Sequence, residues 1–348
     1  MHVPGHKNMT IGLLKNLDFK MDMTEISGLD DLHHPEEIIL DSMAQFNKHQ
    51  DYNAYLLVNG TTSGILSVIQ ALAHQSGEYL IPRNVHKSVF HGLELAHQKA
   101  KFTKMKVSST SHHYLSPQLQ DLDLNNQKLA IMTYPNYYGE TYDIQSDIEL
   151  LHSKHIPVLI DEAHGAHFDL KGFPTSSLNY GADYVVQSYH KTLPALTMGS
   201  ILYIHKDAPH KEEIKQYLSY FQTSSPSYLV MASLEMAHTF YEEYQSDIFF
   251  EKRKLLLSSL ENKGFIVNDV DDPLKMLITY PGYSGYDIQN WFEKEHIYVE
   301  LADDYQVLFV LPLWHQGDEY PFNILLEKIN SMLLPDIKQV SQFYPELM

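Results

Sequence analysis

The chain has 348 residues, 44% of them hydrophobic and 20% charged, a globular composition with enough material for two cored domains. Its formal charge of −19 speaks against nucleic acid as a partner, since binding it needs clustered Lys and Arg. No apolar run approaches the ~18 residues of a membrane span, the start reads as no signal peptide, and the absence of cysteine removes disulfides and thiolate chemistry, so a cytoplasmic location is expected.

Residues 1–50 are mixed and polar, with turn signals at Pro4-Gly5, Ser27-Gly28 and Pro35. From Tyr55 the pattern alternates. Tyr55–Val58 reads as a strand and Gly64–His74 as a helix; Glu78–Ile81 reads as a strand and Asn84–Gln98 as a helix that Asn84 would cap. Leu129–Tyr134 is expected as strand, Ser146–His155 as helix, and Ile156–Ile160, Tyr184–Gln187 and Ser200–Ile204 as strands. This alternation predicts a mainly parallel sheet with helices on both faces in a large domain over residues 51–250. Residues 206–250 read as a bridge that ends in a long helix, Tyr228–Tyr244. From residue 251 to 348 the pattern is that of a small α+β unit. A helix over 251–263 stops at Gly264, and strands over 275–280 and 305–311 alternate with helices over 286–296 and 322–333.

Chemistry-bearing residues gather where strands end. Asp161-Glu162-Ala163-His164 closes one apolar run and Ser188-Tyr189-His190-Lys191 closes the next. The ends of neighbouring parallel strands converge at one edge of a sheet, where open α/β sheets bind ligands. A lysine amine beside a fixed carboxylate and phosphate-binding groups suits pyridoxal phosphate, with Lys191 as the covalent attachment point and Asp161 as partner of the pyridinium nitrogen. Asn59-Gly60-Thr61-Thr62-Ser63-Gly64 follows a strand and opens a helix, an arrangement that binds phosphate through hydroxyls and free N–H groups; it also suits an ordinary turn and cap. His86, in Arg83-Asn84-Val85-His86-Lys87-Ser88, could lie on a cofactor ring or simply start a helix. Ala163 is small enough for a planar ring to pack on the backbone. His164, His167 and His190 with Asp161 leave zinc as an alternative, one that would not account for Lys191 or the threonine loop. Nucleotide-binding glycine motifs and the serine-hydrolase elbow are missing.

Together these segments resemble the major domain of the ornithine/lysine/arginine decarboxylases of the aspartate-aminotransferase fold, in the short form found in bacteria. The match is carried by HVPGHK (2–7), TEISGLDDL (24–32), NGTTSG (59–64), RNVHKS (83–88), YPNYYGE (134–140), DEAHGAH (161–167) and SYHKTLPALTMGS (188–200), in family order. The resemblance implies a seven-stranded-type sheet, pyridoxal phosphate as cofactor, and decarboxylation of lysine, ornithine or arginine to a diamine or agmatine. It makes Lys191 the Schiff-base lysine, Asp161 the acid on the ring nitrogen, His86 the stacked imidazole and Ala163 the residue beneath. It makes Gly60, Thr61, Thr62, Ser188 and His190 phosphate binders, with His164 beside the cofactor. Ser224 or Ser225 would reach the phosphate of a neighbouring subunit, which implies a homodimer with shared sites. The substrate's distal cation needs an acid, for which Glu300, Asp303 and Asp304 are candidates, with Glu25, Asp30 and Asp31 as further options; no metal is expected. Another enzyme using the same cofactor (an aminotransferase or lyase) and a non-catalytic homologue are the alternatives. Two departures are noted: family members carry a prefix before HVPGHK and continue into a C-terminal extension with a Pro-Gly-rich motif, which is expected to be missing here.

Overall fold

A computed structural model describes residues 1–337; the last residues of the small unit expected over 251–348 lie outside the described part. The strands are β1 (Tyr52–Leu57), β2 (Glu78–Ile81), β3 (Ala100–Phe102), β4 (Lys104–Val107), β5 (Tyr114–Gln118), β6 (Gln127–Thr133), β7 (Val158–Asp161), β8 (Tyr184–Gln187), β9 (Ser200–His205), β10 (Ile266–Asn268), β11 (Lys275–Thr279), β12 (Leu301–Ala302) and β13 (Val307–Val310). The helices are α1 (Ile38–Gln45), α2 (Gly60–Ala71), α3 (Lys87–Leu95), α4 (Ile144–Ser153), α5 (Tyr189–Thr192), α6 (Lys211–Phe221), α7 (Tyr228–Glu243), α8 (Asp247–Asn262), α9 (Gly285–Lys294) and α10 (Phe322–Ser331).

Seven strands form one sheet in the order β1-β9-β8-β7-β6-β2-β3. Every pairing is parallel except those of β9, which runs antiparallel to both β1 and β8. The two-residue period of a strand sends alternate side chains to opposite faces. Leu129 and Ile131 of β6 and Leu159 of β7 pack with α2, α3 and α6 on one face. Ala130, Met132, Val158 and Ile160 pack with α4 and α7 on the other, in a core that runs on into the C-terminal sheet. Such near-continuous apolar strands are what a sheet covered on both sides requires. The C-terminal sheet, β10-β11-β13-β12, is wholly antiparallel and is backed by α8, α9 and α10. Among the described residues no helix is long and apolar enough to cross a membrane.

Several elements differ from the sequence pattern. α2 starts at Gly60, four residues early, because Gly60 adopts φ +75° and turns the chain directly into the helix. α3 is shorter than expected, and its N-cap is His86 rather than Asn84: the His86 ring accepts from the Ser88 amide at 3.3 Å. Residues 206–250 are more than a bridge, since α6 packs its Ile214 and Leu218 onto the sheet. The polar start holds α1, capped from outside by Asp30, whose carboxylate accepts from the amides of Glu36, Glu37 and Ile39. The β4–β5 hairpin gave no clear periodicity because its strands are largely exposed.

Candidate active site

Because β9 is antiparallel to both its neighbours, β1 points the same way as β8. The C-terminal ends of β1, β2, β6, β7 and β8 therefore lie along one edge. Asp161 is the last residue of β7, and Tyr134–Tyr138 follow β6. Pro82–His86 follow β2. Lys191 is not quite at a strand end: it sits one turn on, in the single-turn helix α5, with its amide bonded to Ser188 O at 3.1 Å. That turn is pinned from below by the N-terminal segment, where the Gly5 amide donates to His190 O at 2.8 Å.

These loops enclose a cavity of about 310 Å³ lined by His86, Asp161, Ala163, His164, Lys191 and the aromatic pair Tyr137 and Tyr138, among others. Its volume falls at the small end for ligand sites. A larger cavity of about 690 Å³ beside α1 and α6 holds none of this chemistry. Asp161 is buried and has one carboxylate oxygen 3.2 Å from the Ala163 amide, which donates to it. Burial pushes its pKa up, against the pull of Lys191 and His86. Burial likewise pulls Lys191 down from the ordinary lysine range, opposed by Asp161 and Glu300. His86 is open to the cavity, its Nδ1 at 2.8 Å from Ser88 Oγ, and desolvation lowers its pKa as well.

Beside them a buried imidazole, His164, lies between two amines. Its Nε2 is 3.3 Å from Lys191 Nζ and its Nδ1 is 3.2 Å from Lys275 Nζ. Burial, then Lys275 and Lys191, hold His164 well below the usual histidine range, so it is neutral. At the helix end of the crevice Thr61 Oγ1 meets Ser188 Oγ at 3.3 Å, and both residues are buried. Gly60 N is already bonded to Met198 O at 2.9 Å, so the hydroxyls and the other amides of the first turn of α2 are the local anion donors. His190 is bonded to Gly199 O at 3.1 Å, and burial pulls it down to about 4. Thr62 is exposed and faces away from this cluster of buried hydroxyls.

The remaining candidates are dispersed. Ser225 is exposed, as is Ser224; Ser225 lines a separate cavity of about 430 Å³ with Asp22, Asn59 and Met198. Glu300 reaches the rim of the Lys191 cavity: its carboxylate accepts from Tyr137 Oη at 2.8 Å and from the Val3 amide at 2.8 Å. Asp303 pairs with His113 at 3.0 Å and accepts from the amides of Tyr305 and Gln306. Asp304, like Glu25, is exposed and outside the cavity lining. His164, His167, His190 and Asp161 do not converge as a zinc set. His167 Nε2 is 2.9 Å from Asp272 Oδ1 in the core, and among the described residues no cluster of three His, Asp or Glu is arranged to hold a metal.

Two contributors escaped the sequence reading. Lys275 lies inside the apolar run Leu274–Ile278, and a lysine at a buried strand position was a signal in itself. His113 is stacked on Tyr138 with centroids 4.2 Å apart, and only the fold brings its hairpin to the cavity.

The residues suit pyridoxal phosphate. A buried acid without a cation bound to it lines the cavity, and the Asn84 amide oxygen on the same wall is buried without a hydrogen-bond partner. Both call for a donor that a ligand would bring. Comparison with known proteins follows the same line. A family model described as "Orn/Lys/Arg decarboxylase, major domain" matches residues 11–253. The chain is 39% identical to the uncharacterized protein YaaO of Bacillus subtilis, over 90% of this chain and 70% of that one. It is 30% identical to an arginine decarboxylase of the same organism, over 89% of this chain and 69% of the other. Lysine decarboxylase A from Pseudomonas aeruginosa superposes with a TM-score of 0.66 at 15% identity, covering 83% of this chain and 49% of that one.

Proposed function

This chain belongs to the ornithine/lysine/arginine decarboxylase family, and from that premise we propose that it is a pyridoxal-phosphate-dependent decarboxylase of a basic amino acid: arginine, lysine or ornithine. The observation that carries the reading is the meeting of Lys191, Asp161 and His86 around one cavity at the C-terminal edge of the sheet. When bound, the cofactor supplies a protonated pyridine ring that draws off the electrons left by the departing carboxylate.

The protein's own groups account for the rest. Asp161, unable to ionise cheaply alone at this depth, holds a proton on the ring nitrogen. Lys191, with its ammonium disfavoured by burial, supplies the attachment amine. With the cofactor bound, His86 and Ala163, which line the cavity, would hold the ring, and Thr61, Ser188 and His190 would hold the phosphate. No arginine lines the cavity: Arg253 is tied to Asp269 at 2.6 Å and to Pro273 O, and Arg83 lies over the Phe102 ring. A carboxylate left without a strong clamp is the arrangement decarboxylation favours, since clamping would stabilise the ground state more than the transition state. Glu300, at the rim, takes the distal cation of the substrate.

The working form is a cytoplasmic homodimer. Ser225 faces away from its own chain's Lys191 cavity, and Phe19, Met21, Met23, Ile26, Ile38 and Leu40 expose an apolar surface close by, which a second copy would cover.

The test is mass spectrometry of the products after incubation with arginine, lysine and ornithine in turn. Agmatine, cadaverine or putrescine should form and be absent with Lys191→Ala. If every substrate stays intact with the cofactor fully loaded, the decarboxylase reading fails. If the substrate is consumed only with an added 2-oxo acid, which becomes an amino acid while no decarboxylated amine forms, transamination replaces it.

A further inference from the structure

Lys275 belongs to the opposite, C-terminal sheet, yet its amine enters the site from behind. It is fully buried in β11, donates to Tyr137 O at 2.7 Å and lies 3.2 Å from His164 Nδ1. The backbone is shaped around its stem. Gly139 has φ +89°, and a Cβ there would come within 2.8 Å of Lys275 Cγ and 3.1 Å of its Cβ. The buried acid Asp272 favours an ammonium at this point, and the amine itself is directed at Tyr137 O and His164.

It faces an imidazole that carries a single proton. A neutral histidine offers one donor and one acceptor nitrogen. His164 has an amine at each nitrogen, so the lysine facing its protonated nitrogen must accept as a free amine, and the one facing its bare nitrogen donates to it. The surroundings decide which. Lys275 has the Tyr137 carbonyl as a second acceptor and is drawn toward its charged form by Asp272 and Glu300. Burial pulls it down only to about 8. Lys191 is drawn toward its charged form by Asp161 and Glu300. His164 also feels His190 and His167, and His86 faces Lys191 and Asp161 from the far wall.

We propose that Lys275 is a positioning residue: its ammonium, donating to His164 Nδ1, fixes the Nε2–H tautomer, which in turn can only donate to Lys191 as a free amine. The charge of one sheet thereby keeps the nucleophile of the other unprotonated. The idea rests on the assignment of Lys191 as the reactive amine, and concerns how that amine is readied.

The experiment is trace labelling of the cofactor-free protein with acetic anhydride across pH, with modification at Lys191 read by mass spectrometry. It measures the free-amine fraction without any decarboxylation, so a failed substrate assay leaves it interpretable. In Lys275→Met the Lys191 midpoint should rise by about one pH unit, a ~tenfold loss of labelling below the midpoint. In a His164→Leu background the same substitution should shift it much less. An unchanged or lowered midpoint in Lys275→Met overturns the proposal, as does an equal shift without His164. Ring ¹⁵N shifts of the unsubstituted protein give a check that needs no variant: the Nε2–H tautomer at His164 supports it, and Nδ1–H refutes it.

Discussion

Gly5→Ala tests how the Lys191 turn is held. Gly5 lies flat against α5, its amide donating to His190 O at 2.8 Å. An added Cβ would collide with the Leu193 carbonyl, reaching its carbon at 2.8 Å, and would stand 2.9 Å from the Thr192 carbon. These are backbone atoms on a buried turn, so no side chain can swing away. Overpacking of this kind costs about 1–3 kcal/mol, and losing the amide bond adds ~1 kcal/mol. The smaller entropy of the unfolded alanine chain returns about 0.4–1 kcal/mol. The net expectation is a loss of ~2–3 kcal/mol, measured by denaturant unfolding, together with weaker covalent retention of pyridoxal phosphate at Lys191 because α5 shifts. Gly181→Ala is the control. Gly181, unlike Gly5, has a left-handed φ, +75°, but nothing lies within 4 Å of the new Cβ, so only backbone strain of about 1 kcal/mol applies. If Gly5→Ala is as stable as Gly181→Ala and holds the cofactor equally well, the N-terminal segment does not brace the site.

Two further outcomes are expected. Glu300→Gln keeps the Tyr137 contact but removes the rim charge, so KM for the basic amino acid should rise about 10–100-fold with kcat much less affected; an unchanged KM removes Glu300 from substrate recognition. His238 is buried beside Phe46 and Tyr189, and burial, then Lys48, pull it down from 6.5 to about 4. The unfolded chain therefore takes up this proton first, so the stability it contributes is whole above about pH 6.5 and is lost as pH falls toward 4. In His238→Phe the unfolding free energy should fall less steeply over that window, by up to ~3 kcal/mol in all. A slope that does not change would show that His238 takes up its proton in the folded protein at the same pH as in the unfolded chain.

Asp161, Ala163, His164, Ser188 and Lys191 could be singled out from local pattern alone, because they lie at or within four residues of the end of an apolar run and the ends of such runs in an alternating chain share one edge of a sheet. Six of the seven strands of the large sheet came from the same source, since a strand buried on both faces must be apolar along its length; β3, a half-exposed strand at the sheet edge, carried no such signal. Helix limits were less legible: a glycine with left-handed φ at 60 and a histidine cap at 86 set them through backbone geometry that periodicity does not encode.

The pairing of distant segments was beyond local pattern. Lys275 stood out only as a charge in an apolar strand, and no spacing told that its amine meets His164, 111 positions earlier. His113 reaches the cavity because a hairpin folds over it, and of the acids near residue 300 two bond to residues of the cavity wall, Glu300 to Tyr137 and Asp303 to His113. Residue type and periodicity singled out the candidate groups and the sheet edge on which they stand. The contacts among them depend on how two sheets far apart in sequence pack, and that is set by the shape of the whole core.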